Sequence, residues 1–154
     1  MVIRFAQEKD IPAMINLLQQ VGQVHHNIRP DIFRAGAQKY DEAALKELLK
    51  DPARPIFIAE DGDVLGYCFC ILEETRDHPV LEDERTLYID DLCVDEDCRG
   101  KHIGTALFDY VKAYAKEIGC YNVTLNVWAC NPSAMKFYEK CGMQVQKTGM
   151  ETLL

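Results

Sequence analysis

Hydrophobic and polar positions follow two different periods along this chain, and the changes of period divide it into elements. Ile3 and Phe5 alternate with polar neighbours and predict a first strand. Ile11, Met14, Ile15, Leu18 and Val21 recur at helical spacing, with Asp10 placed to cap that helix and Gly22 to stop it. Residues 23–38 keep neither period and carry His25, His26, Pro30 and Phe33. A second helix is predicted over 41–50, ended by Pro52. Residues 55–59 and 64–72 read as two strands around Glu60-Asp61-Gly62-Asp63, whose Asp-Gly step signals a hairpin.

A polar loop is expected over 73–85, then a strand over 86–94. Ile103, Leu107, Val111, Tyr114 and Ile118 line one face of a helix that Gly119 closes. Residues 122–128 are β-branched and read as a strand. Asn131 caps a further helix with Pro132 in its first turn, and Gly142 ends it. Segments around Gln144 and Met150 are expected to form two last strands. This order of strands and helices is α/β.

The length of 154 residues suits one domain, over residues 1–154. A formal net charge of −8 argues against nonspecific nucleic-acid or acidic-membrane binding and favours neutral or cationic partners. No run is long enough to span a membrane, and the N-terminus lacks the apolar core of a signal peptide. The seven cysteines form no C-x-x-C pair, so no metal site is expected and reduced thiols in the cytoplasm are.

Chemistry concentrates where the strand over 86–94 hands over to the next helix. The segment Arg99-Gly100-Lys101-His102-Ile103-Gly104-Thr105 packs two glycines and two cations against a helix N-terminus. Free N–H groups and the helix dipole make such a junction an anion site. It does not fit the P-loop, since Lys101 precedes the second glycine, nor the Gly-x-Gly-x-x-Gly dinucleotide loop. It resembles the R/Q-x-x-G-x-G/A pyrophosphate loop of the GCN5-related N-acetyltransferase (GNAT) family. Arg99 and Gly104 match its outer positions, and His102 stands where a glycine at positive φ is usual. Asn131 through Gly142 is similar to that family's N-x-x-A-x-x-F-Y-x-x-x-G signature.

The resemblance implies a single-domain GNAT fold: a mixed central sheet splayed between its fourth and fifth strands, with helices on both faces. It implies acetyl-CoA as cosubstrate. Leu92, Cys93 and Val94 would meet pantetheine; Arg99, Gly100, Lys101, His102, Ile103, Gly104 and Thr105 the pyrophosphate; Asn131 would also contact the cofactor. Tyr138 matches the family's general acid, able to protonate a departing thiolate. Asp90 and Asp91 resemble the acidic pair of spermidine/spermine-type enzymes, with Asp90 relaying the amine's proton through water and Asp91 binding the amine. Consecutive strand residues are expected to leave opposite faces. His25 is a candidate acceptor contact. Cys93 and Cys130 lack an adjacent histidine and are weak candidates for an acyl-carrying nucleophile.

The resemblance implies transfer of an acetyl group to a primary amine, with a small cationic amine as acceptor, by direct attack in a ternary complex. Two alternatives stay open: acetylation of protein N-termini or lysines, and a non-catalytic CoA-binding regulatory module. Relatives that pair C-terminal strands imply a homodimer, with neither nucleic acid nor membrane as partner.

Overall fold

The computed structural model, which describes residues 1–154, builds the chain around a five-stranded sheet whose strands lie in sequence order. These are β1 (Val2–Phe5), β2 (Ile56–Asp61), β3 (Asp63–Thr75), β4 (Glu84–Val94) and β5 (Asn122–Thr124). The first four pair antiparallel, and β5 runs parallel to β4. Between them come α1 (Ile11–Ile28) and α2 (Glu42–Leu48), then α3 (Ile103–Glu117), then α4 (Pro132–Lys140). A sheet with two apolar faces needs cover on both, and the chain supplies two separate clusters. Leu87, Ile89, Cys68 and Cys70 pack with Ile103, Leu107 and Val111 of α3 on one face. Tyr67, Phe69 and Cys93 pack with Met14, Leu17, Leu18 and Leu45 of α1 and α2 on the other. Each fully buried leucine contributes about 1.5–3 kcal/mol.

β4 and β5 pair only from Thr86–Asn122 to Tyr88–Thr124. Beyond Tyr88, β4 continues to Val94 with no strand on that side, which is the splay that the resemblance implied.

Several expectations need correction. The first helix does not stop at Gly22 but runs on to Ile28, placing His25 and His26 in its last turn. A side chain at 22 would collide with the Ala37 carbonyl oxygen, so this glycine admits a loop rather than ending a helix. Asp10 sits at the head of α1 without capping it by its side chain. Its carboxylate instead accepts from Arg4 at 2.7 and 2.9 Å and from the Gln7 N–H at 2.8 Å. The hairpin is longer than predicted, leaving a loop of only residues 76–83. The strand over 122–128 is paired only as far as Thr124, opposite Tyr88. The two last strands around Gln144 and Met150 do not form: residues 144–154 make no backbone hydrogen bond within the chain and are all exposed.

Candidate active site

The β4–α3 junction leaves backbone donors and two cations unpaired. The first helical hydrogen bond runs from the Ala106 N–H to the His102 carbonyl at 3.0 Å, so the N–H groups of Ile103, Gly104 and Thr105 stay free. Gly100 at φ 80° and His102 at φ 60° turn the backbone toward that end. His102 thus takes the left-handed conformation expected of the position where glycine is usual. Arg99, Lys101 and His102 are exposed and form no ion pair. At Gly104 a Cβ would lie 3.1 Å from the Phe137 ring and 3.6 Å from Val94 Cγ2. Its lack of a side chain lets α4 seat closely against α3. Asn131 uses its side-chain oxygen to cap α4, accepting from Ala134 N–H at 3.3 Å and from Ser133 Oγ at 3.0 Å.

The two aspartates lie at a β-bulge. Phe69 pairs with Asp91 and Cys70 with Ile89, so Asp90 is an extra residue without a partner on β3. The insertion reverses the alternation along β4. Leu87 and Ile89 face α3, whereas Cys93 faces α1. Asp90 and Asp91 therefore share the α1/α2 face, and the expectation of opposite faces is overturned by that one extra residue.

Their environments differ. Asp90 Oδ2 takes the Lys39 ammonium at 2.8 Å and the Tyr40 hydroxyl at 2.9 Å. Burial works against the charge of Lys39, but the Asp90 carboxylate outweighs it and lifts the lysine above its ordinary range. Asp91 accepts only the Tyr67 hydroxyl among side chains, at 2.6 Å. Burial pushes the Asp91 carboxyl up to about 6, against the pull of Tyr67 and of Lys39. Asp91 thus has the proton affinity to exchange near neutral pH.

Tyr138 follows Phe137 on α4, whose ring meets it at 5.0 Å. Its hydroxyl has no protein partner. Burial first, then Cys68 and the Asp91 carboxylate, push it above the ordinary tyrosine value, so acid and carboxylate lie within electrostatic reach. Burial raises Cys93 to about 12, and its thiol points at the Leu17 carbonyl 3.6 Å away, which removes it as a nucleophile. Cys130 is exposed.

His25 stacks on Phe33 at 4.8 Å, Phe33 meets Trp128 edge-on at 5.5 Å, and Arg29 covers Trp128 at 5.6 Å. The end of α1, the following loop and the segment after β5 thus share an aromatic wall. Burial and the nearby Lys39 lower the pKa of His25, holding it neutral at pH 7.

Three site residues escaped the sequence reading: Lys39, Tyr40 and Tyr67. For Tyr67 and the bulge a signal was present. The apolar positions run 87, 89, 92, 94, a slip of phase at Asp90-Asp91 that marks an inserted residue. Lys39 and Tyr40 lie in a loop whose path no periodicity encodes.

The model of the Acetyltransferase (GNAT) family matches residues 22–143. An uncharacterized N-acetyltransferase from Methanocaldococcus jannaschii is 31% identical over 108 residues, covering 70% of this chain and 46% of its own. The glucosamine 6-phosphate N-acetyltransferase of Arabidopsis thaliana is 39% identical over 56 residues, 36% of each chain. This chain thus spans about a third to a half of the length of these curated relatives. They support the broad family and not the spermidine/spermine-type branch specifically. Among solved structures, a mutant protein from Bacillus halodurans superimposes at a TM-score of 0.95 with 31% identity, over 100% of this chain and 99% of that one. The Arabidopsis thaliana glucosamine-6-phosphate N-acetyltransferase follows at 0.73 and 21%, over 99% and 97%, a likeness of fold.

Proposed function

Because the chain belongs to the GNAT family of acetyltransferases, we propose that it moves an acetyl group from acetyl-CoA to the primary amine of a small acceptor bearing a single ammonium, an amino sugar in chemical class. Acetyl-CoA, the donor used throughout the family, supplies the thioester that the amine attacks directly and the thiolate that leaves. The free N–H groups of Ile103, Gly104 and Thr105, with Arg99 and Lys101, hold its pyrophosphate. The open edge of β4 at Leu92, Cys93 and Val94 offers backbone groups to pantetheine.

One observation carries the acceptor reading: the formal charge of the Asp90–Asp91–Lys39 cluster. Two carboxylates against one lysine leave a single negative charge, room for one ammonium and not for a polyamine. Asp90 is already occupied, so Asp91 receives the proton as the amine attacks, and the role first expected of Asp90 passes to its neighbour. Tyr138 stays protonated at working pH and donates to the departing thiolate. The wall of His25, Phe33 and Trp128 offers flat apolar surface to a sugar ring. The named relatives that act on glucosamine 6-phosphate support the same class. We read the enzyme as a cytoplasmic homodimer with no nucleic-acid or membrane partner, in keeping with its charge of −8. No helix is long and apolar enough to cross a membrane.

The test is release of free CoA thiol across amino sugars, aminoglycosides, polyamines, amino acids and peptides. Amino sugars with one ammonium should turn over fastest. A peptide-only activity would make the chain a protein acetyltransferase, and acetyl-CoA binding without turnover of any amine would make it a regulatory module.

A further inference from the structure

Two side-chain hydrogen bonds join β4 to β5 and its continuation, and they differ in geometry. Thr86 Oγ1 donates to Asn122 Oδ1 at 2.7 Å, between residues that are ladder partners. Tyr88 has Thr124 as its ladder partner, yet its hydroxyl accepts from the Asn126 amide at 3.3 Å, two residues past the last pair. The two strands run parallel, so the phenol leans toward Asp90 and the opening of the splay. Leu87 and Ile89 turn toward α3, which leaves Tyr88 on the acceptor side. Trp128, two residues beyond Asn126, meets Phe33 of the aromatic wall there. Asn126 is exposed and Tyr88 half-buried, and neither side chain makes another hydrogen bond. Their one bond uses a single N–H and a single lone pair, so the Tyr88 O–H, the Asn126 Oδ1 and the second amide hydrogen remain. Exchanging the amide oxygen and nitrogen also leaves a donor and an acceptor free.

We propose that Tyr88 and Asn126 read a ring hydroxyl of the acceptor, so that the enzyme selects a hydroxylated ring amine over its deoxy counterpart. This rests on the amino-sugar reading above and names the residues that choose among ring amines. The other groups of this face have their tasks: Asp91 takes the ammonium, His25, Phe33 and Trp128 take the flat side of the ring, and Asp90 is held by Lys39 and Tyr40. Tyr88 and Asn126 are the neutral pair between them. A hydroxyl donates and accepts at once, so it matches both free groups. A carboxylate or phosphate only accepts, and an ammonium only donates, so each would leave one of them unmet. A bond made only to brace the strands would join opposed residues, as Thr86 and Asn122 do. Tyr88 also lies two residues before Asp90, about 7 Å along the strand, within reach of one sugar ring whose amine sits at Asp91.

The experiment measures kcat and KM for cyclohexylamine and for the 2-, 3- and 4-aminocyclohexanols, which share one ring and one ammonium, on the full chain, Tyr88→Phe and Asn126→Ala. The unaltered chain should prefer at least one aminocyclohexanol over cyclohexylamine by about ten-fold or more in kcat/KM, since a site that bonds a substrate hydroxyl rejects the analogue lacking it. Each variant should lose most of that preference through a raised KM for the hydroxylated amine. The cyclohexylamine constants and the KM for acetyl-CoA should hold. Variants that slow all four amines by the same factor would make the pair a brace of the splay and overturn the proposal. So would an unaltered chain with no preference for any hydroxyl, while amine acetylation itself would stand. A chain that acetylates peptides and none of these amines or amino sugars overturns the amino-sugar reading and this inference together. Asn126 is exposed, so Asn126→Ala decides alone if Tyr88→Phe does not fold.

Discussion

The Tyr67 hydroxyl donates across 2.6 Å to the Asp91 carboxylate on the neighbouring strand, at the one point where β4 carries an extra residue. The contact favours the ionised carboxylate, and burial opposes it. Tyr67→Phe removes the favourable part and leaves the burial. The acid limb of the kcat/KM profile should therefore move from near pH 6 to higher pH, with the plateau changed little. Asp91→Asn should abolish that limb along with most turnover. An unmoved limb in Tyr67→Phe would assign it to another group.

Asp91 also affects stability. Its native pKa of about 6 lies above the unfolded carboxylate value of 3.8, so the native state holds the proton more tightly. Its contribution is then most favourable at low pH and declines as pH rises from about 4 through about 6. Asp91→Asn should raise stability at pH 7–8 by an amount on the order of 3 kcal/mol, and Tm with it, and leave both unchanged near pH 3. Thermal melts at the two pH values measure this directly.

Tyr138→Phe loses only a hydroxyl that has no protein partner. Turnover should fall about a hundred-fold or more while acetyl-CoA affinity holds, as titration calorimetry would show. Because burial raises this tyrosine above its ordinary range, its ionisation should produce no basic limb below pH 10.

Lys39 sets how many positive charges the cleft accepts. Lys39→Met strips Asp90 of its ammonium, leaving two carboxylates facing the acceptor. The ratio of kcat/KM for polyamines over amino sugars should rise at least several-fold. Asp90→Asn should act the other way, raising the KM for every cationic amine.

Gly104 joins two parts of the site. In Gly104→Val the added carbons press on Phe137, and overpacking of this kind costs about 1–3 kcal/mol. Both Tm and kcat should fall, beyond any loss of acetyl-CoA affinity, because α4 carries Tyr138. A variant that loses affinity alone would show that Phe137 yields freely.

The elements with strong periodicity were legible in the chain. Ile103, Leu107 and Val111 gave α3, and the Asp-Gly step gave the hairpin at Gly62. The anion loop and the α4 cap were readable because each is a local device of backbone and a few side chains. What escaped depends on contacts distant in sequence. Gly22 looked like a stop because the Ala37 carbonyl that requires it lies on another segment. Asp90 looked free because Lys39 reaches it from a loop fifty-one positions earlier. The tail looked like two strands because apolar residues recur in it, but no strand of the sheet takes residues 144–154 as a neighbour.

The inserted Asp90 divides β4 into two segments whose apolar residues already face their proper clusters. Deleting it would let Ile89 and Asp91 follow one another in ordinary alternation, with Leu92 and Val94 still toward α3 and Cys93 toward α1. The scaffold is thus indifferent to this residue, and the kink with its paired carboxylates is a detachable graft. A single-codon deletion would return a straight-stranded protein that still melts cooperatively, still holds its nucleotide and keeps Asp91, yet has lost the carboxylate that anchors Lys39 and Tyr40 at the cleft.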